Sequence, residues 1–195
     1  MLLRLVAVLA LALLGSGDAL AQKDVTAQKK VRTESIRPPS APPEIITDLA
    51  RLPPRVARAR ERILEAARSG ELQKLVTVMQ SNETMPSFSL GDDKDPIAYW
   101  KTNYPDSDGI EVLAILIEIL ETGFIHVDRG TPQEMYVWPY FARTPLNTLT
   151  PPQKVELLKI VTGSDYKDMV DLGHYIFYRL GIGPDGTWHF FIAGD

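Results

Sequence analysis

The chain has 195 residues, 45% of them hydrophobic and 24% charged, a formal net charge of −4 and no cysteine. Without thiols it has no disulfide, no cysteine-ligated zinc, no thiol nucleophile and no cysteine-borne lipid anchor. The charge is unevenly spread: residues 22–68 carry +5 and residues 69–195 carry −9. A basic arm on an acidic body reads either as a contact for anionic lipid, glycan or the body itself, or as a solvated linker.

Met1-Leu-Leu-Arg4 is followed by an apolar run, Leu5 to Leu14, then Gly15-Ser16-Gly17 and Ala19-Leu20-Ala21. This order of charge, short apolar core, breaker and small-residue site predicts a secretory signal peptide over residues 1–21, cut between Ala21 and Gln22. The run is shorter than the roughly 20 apolar residues a bilayer span needs. The richest later stretch, Ile110 to Leu120, is interrupted by Glu111 and Glu118. The expected mature protein is soluble, without a transmembrane segment, and periplasmic or secreted.

Residues 22–53 read as a proline-rich basic linker without fixed structure. Pro38-Pro39, Pro42-Pro43 and Pro53-Pro54 punctuate a polar stretch that has little apolar surface to bury. A single domain is expected over residues 54–195. Helix begins at Pro54 or Arg55 with Val56, Ala59, Ile63, Leu64 and Ala67 on one face, and breaks at Ser69-Gly70. A second helix covers Glu71 to Gln80. After a polar loop, Asp95 and Pro96 open a short helix to Asn103. Residues 110–122 fit a buried helix ended by Gly123, although their β-branched content also suits a strand. Strands are expected at 124–127 and 135–141, the latter pushed to an edge or ended by Pro139. Thr150-Pro-Pro-Gln153 starts a helix running to about Val161, and Ser164 or Asp165 starts another ending at Gly173.

The segments 175–183 and 187–193 flank Pro184-Asp185-Gly186, a three-residue hairpin loop with glycine at the left-handed position. With Gly183 opposite Thr187, Ile182 faces Trp188, Leu180 faces Phe190 and Tyr178 faces Ile192 on an apolar side. The other side pairs Gly181 with His189, Arg179 with Phe191 and Phe177 with Ala193. A one-residue slip would exchange the two faces.

Four groups of residues are candidates for function. The mixed hairpin face, with Arg179, His189 and the neighbouring Tyr175, can hold an anionic or sugar-like ligand, or be covered by helix with Arg179 in an ion pair. The aromatic row Tyr136, Trp138 and Tyr140 can stack sugar rings if exposed, or pack in the core. Arg51, Arg55, Arg58 and Arg62 can dock on an anionic surface, or be neutralised by Glu61 and Glu65. His126 and Asp128, the loop acids Asp92, Asp93 and Asp95, and the helix acids Glu111, Glu118 and Glu121 are the acid–base or metal options. None forms a known catalytic or metal motif, so no catalytic residue, metal ligand or cofactor is assigned.

Leu64-Glu-Ala-Ala-Arg-Ser-Gly-Glu-Leu72 is similar to one ankyrin-type helix–turn–helix, but such repeats need about three copies. With Asp185-Gly-Thr-Trp188 it also resembles NTF2-like α+β cone domains, which have no place for helices at 151–173. Gly181-Ile-Gly-Pro-Asp-Gly-Thr-Trp-His-Phe-Phe-Ile-Ala-Gly-Asp195, with Tyr136-Val-Trp-Pro-Tyr-Phe141, resembles a set of uncharacterised predicted secreted bacterial proteins. That resemblance covers most of residues 54–195 and implies no activity.

The expected fold is α+β, a helical N-terminal half packed on a small antiparallel sheet that ends in the C-terminal hairpin. The expected function is non-catalytic binding of an envelope component, protein or glycan, with no nucleic-acid partner. The alternatives are a small periplasmic hydrolase acting on an envelope polymer and a basic-arm tether to an anionic membrane surface.

Overall fold

Proline, glycine and capping side chains set most element boundaries. In the computed structural model, which describes residues 43–194, helix α1 runs Pro54–Arg68 and α2 runs Leu72–Gln80, separated by Gly70 at φ 73°. The Asp95 carboxylate accepts the amides of Ile97 (2.9 Å) and Ala98 (3.2 Å) to open α3, Pro96–Asn103. The β-branched stretch is helical: α4 spans Glu111–Glu121 and buries Val112, Leu113, Leu116, Ile119 and Leu120. Packing on two sides outweighs the modest helix propensity of its isoleucines.

The strands are β1 (Ile45–Ile46), β2 (Phe124–Val127), β3 (Met135–Trp138), β4 (Arg179–Ile182) and β5 (Trp188–Ile192). They form one antiparallel sheet in the order β1-β2-β3-β4-β5, so the architecture is α+β. Strand β3 stops before Pro139, which has no amide to donate to a ladder. Ser87 shields the outer edge of β5: its amide donates to the His189 carbonyl (2.9 Å) and its carbonyl accepts the Phe191 amide (2.8 Å). Such cover blunts an edge that would otherwise pair with another chain.

Helices pack on both faces of the sheet. Phe124, Tyr136, Trp138, Leu180, Ile182, Trp188 and Phe191 face α1, α2 and α4. Ile125 and Val137 face α5 (Pro151–Ile160), α6 (Gly163–Leu172) and the 3-10 turn Tyr140–Arg143. The expected capping box holds, with Gln153 accepting the Thr150 amide (2.8 Å). A second box, not expected from the sequence, has Asp165 accepting the Thr162 amide (2.9 Å) and starts α6 slightly earlier than expected.

Two corrections follow. The signal segment, its Ala21–Gln22 cleavage site and residues 22–42 of the linker lie outside the described residues. Residues 43–53, however, are not linker: Ile45 and Ile46 pair with Ile125 and Phe124, Leu49–Arg51 form a 3-10 turn, and Ile46 and Leu52 are buried. Two isoleucines give too short a pattern to read as a strand, but they complete the β2 edge.

The second correction concerns the hairpin. Ile182 pairs with Trp188 as expected, but then Gly181 pairs with Phe190, Leu180 with Phe191 and Arg179 with Ile192. His189 is the extra residue of a β-bulge. It turns Phe191, expected beside Arg179, into the fully buried helical core, and moves Phe190 to the opposite face.

One charged side chain is built into this core. Arg60 on α1 is buried and donates through Nε (3.1 Å) and Nη2 (2.7 Å) to the Leu120 carbonyl at the end of α4. Its Nη1 meets Glu61 at 2.7 Å. The guanidinium thus supplies the partner that a terminal helix carbonyl lacks, at the position where the helix dipole favours a cation. Burial lowers its pKa, with Glu61 opposing that shift.

Candidate functional site

The face of the sheet that carries α5 and α6 is not fully covered. Val127 pairs with Met135, and Val137 and Gly181 pair in line with Phe190, so these residues share that face. Over them lies a half-open cleft of about 420 Å³. This lies within the usual range for small-molecule sites, roughly 300–1,000 Å³. Val127, Met135, Val137, Tyr175 and Phe190 give it an apolar lining, and Asp128, Gln133, Arg143, His174 and Arg179 add polar groups.

Gly181 makes the floor possible. A Cβ at this position would lie 2.3 Å from Met135 Sδ and 2.5 Å from Phe190 Cε1. Both neighbouring side chains therefore cross over the β4 backbone where a side chain would otherwise stand. A glycine inside a strand often marks such close approach.

The polar groups come from four elements. Arg143 closes the 3-10 turn after β3 and is exposed at the cleft. Asp128 leaves β2 at φ 52°, which carries its side chain out of the strand alternation. His174 follows Gly173, whose φ of 89° ends α6 in a left-handed turn, with both residues' amides bonded to the Met169 carbonyl. Its Nδ1 lies 3.2 Å from the Leu172 carbonyl. Arg179 donates through Nη1 to the Gly194 carbonyl, which fixes its guanidinium on the cleft wall. Tyr175 is buried and donates its hydroxyl to the Tyr178 carbonyl (2.8 Å). Burial pushes its pKa up, against a smaller opposing effect of Arg179.

Of the residues expected on the mixed hairpin face, Arg179 and Tyr175 line the cleft and His189 does not. The bulge leaves His189 exposed, its Nε2 only 2.8 Å from where a Gly183 Cβ would stand. His174 is the histidine at the cleft. Sequence reasoning missed it, although the Gly173 helix stop that aims it was legible; Arg143 carried no signal.

The aromatic row is core. Tyr136 and Trp138 are buried against α1, α2 and α4, and the Trp138 indole N–H has no hydrogen-bond partner among the described residues. Tyr140 lies beyond the strand and is buried on the opposite face, where its hydroxyl donates to Glu156 (2.8 Å). Burial and then Glu156 push that phenol's pKa up. The three rings do not present a common exposed surface for stacking sugars.

His126 and Asp128 are not brought together. His126 stacks on Tyr136 at 4.2 Å between ring centroids, and its Nε2 lies 2.7 Å from Glu134. Glu134 also accepts the Gly130 amide (2.8 Å), and these two contacts, the amide first, hold its carboxyl below its ordinary pKa. Asp95 is a helix cap and Glu121 pairs with Arg68 at 3.0 Å. Among the described residues, Asp128 is the one carboxylate lining the cleft. Among the described residues, no group of three or more His, Asp or Glu could hold a metal ion. No described helix is long and apolar enough to cross a membrane.

The chain matches no family model, and no match is found among curated proteins or solved structures.

Proposed function

We propose that this is an exported, non-catalytic binding protein of the cell envelope, and that its cleft takes a small molecule with a flat apolar body and an acidic head. The observation that carries this reading is the Met135–Phe190 floor over Gly181, beside a rim that holds the exposed Arg143. An apolar wall supplies non-directional affinity, and a few placed polar groups fix orientation. Arginine suits the head because its planar fork matches a carboxylate, sulfonate or phosphate in a bidentate contact. Export rests on the order of charge, apolar core and small-residue site in residues 1–21.

The test uses anilinonaphthalene sulfonate, an aromatic dye with an anionic head, competed with naphthoate. The protein should bind the dye saturably at one site, and naphthoate should displace it. Arg143→Glu should weaken binding by about tenfold, an energy typical of one charge-assisted hydrogen bond. Gln133→Trp should block the mouth. Both residues are exposed, so the fold should survive. Unchanged dye affinity in both variants would place binding elsewhere and end this reading.

A further inference from the structure

The cleft does not absorb the arginine row on α1. Arg55, Arg58 and Arg62 are all exposed, at spacings that align them on one side of the helix. The acids expected to neutralise them do not. Glu61 turns to Arg60 at 2.7 Å, and among the described residues none of the three arginines has an ion pair. Arg51 leaves the row, held by Glu44 at 2.6 and 3.1 Å. The opposite side of α1 is locked in the core through Val56, Ala59, Ile63 and Leu64. Three cations therefore stand over about 10 Å of a fixed helix, at a rise of 1.5 Å per residue. Next to Arg62, a shallow groove of about 470 Å³ between α1 and α2 is lined by Ala66 and Val78 together with Glu65, Ser69, Lys74 and Thr77, and Glu65, three residues after Arg62, makes no ion pair with it.

We infer that α1 docks the protein on an anionic bilayer surface. The guanidiniums of Arg55, Arg58 and Arg62 bind lipid phosphodiesters, and the groove at Ala66 and Val78 gives apolar contact at the headgroup level. Charge complementarity supports this occupant over an extended polyanion. Residues 69–195 carry −9, so a nucleic acid that wraps the molecule meets repulsion away from α1. A planar surface needs only one cationic face, and charges more than about 8 Å from it are screened at physiological salt.

Each basic residue near such a surface is worth about fivefold in partition, so three are worth about a hundredfold. The experiment is sedimentation of the chain lacking residues 1–21 with phosphatidylcholine vesicles, with and without phosphatidylglycerol. The chain should bind only the anionic vesicles and release them at about 0.5 M salt. R55Q/R58Q/R62Q should lose about a hundredfold of its partition, while R55K/R58K/R62K retains most of it. Equal binding by the glutamine variant and the native chain would overturn the inference, with circular dichroism confirming that the variant is folded. So would equal binding to vesicles without phosphatidylglycerol, or tighter binding to duplex DNA than to anionic vesicles.

Discussion

At Gly181 the missing Cβ leaves room for Met135 and Phe190 to cross β4, and the proposed cleft depends on that room. An alanine methyl would fall within 2.6 Å of both side chains, with Sδ, Cε1 and Cζ as the atoms met. These are far ends of side chains, so they can swing aside, and the open space next to them is the cleft. Gly181→Ala should therefore cost about 1–3 kcal/mol as an overpacked site, and should also reduce dye binding. Adding Met135→Ala should recover part of the stability by removing the nearest obstacle. Urea midpoints and dye titration read the two effects separately, and a Gly181→Ala variant as stable as the native chain would mean that the floor is not tightly packed. Nothing in the sequence marks Gly181 as part of a site. A strand glycine signals close approach, but which side chains approach depends on register, and register here turns on the next residue out, His189.

That residue shows how one element can be legible and still be misread. The Pro184-Asp185-Gly186 loop is correctly placed, and Gly183 donates its amide to the Thr187 carbonyl (2.9 Å) as the expected turn requires. Pairing is then as expected at Ile182–Trp188 and is displaced by one beyond it. The apolar pattern does not resolve this, because Phe190 and Phe191 are equally acceptable as the inward residue. The helices were more legible, since caps such as Asp95 and Thr150 are local chemistry and do not depend on distant partners. The β2–β3 connection is likewise held by local chemistry and makes a pH prediction. Glu134 accepts the Gly130 amide and faces His126, and its folded pKa lies below the ordinary 4.5. The folded state therefore binds this proton less readily than the unfolded chain. Its stabilising contribution is complete above about the ordinary pKa and is lost as pH falls through the lower folded value. Urea midpoints measured from about pH 6 down to pH 2.5 should fall less steeply for Glu134→Gln than for the native chain. Parallel curves would show that this carboxylate does not couple to folding.

At the scale of the whole molecule, the alternation of helical and strand patterns was enough to give the α+β class, but not the second helical layer as a cover for the sheet. Residues 151–173 read as helices, yet which face they would pack against depends on strand order, and strand order is set by long-range pairing. The same limit hides the start of the folded region, which precedes the expected Pro54. Pro43 and Pro53 bracket a stretch that looks like tether, but Ile46 and Leu52 within it are only 4% and 7% exposed. Burying an aliphatic side chain of this size contributes about 1.5–3 kcal/mol, so the two together are worth roughly 3–6 kcal/mol. Against a total of about 5–15 kcal/mol for an ordinary domain, that share decides whether the chain folds. A chain starting at Pro54 would also expose the edge of β2 at Phe124 and Ile125, the positions that pair with Ile46 and Ile45. Urea unfolding of chains starting at Pro43 and at Pro54 should therefore differ by several kcal/mol, with the shorter one marginal or aggregated through its open edge. If residues 43–53 were linker, the two unfolding curves would superimpose.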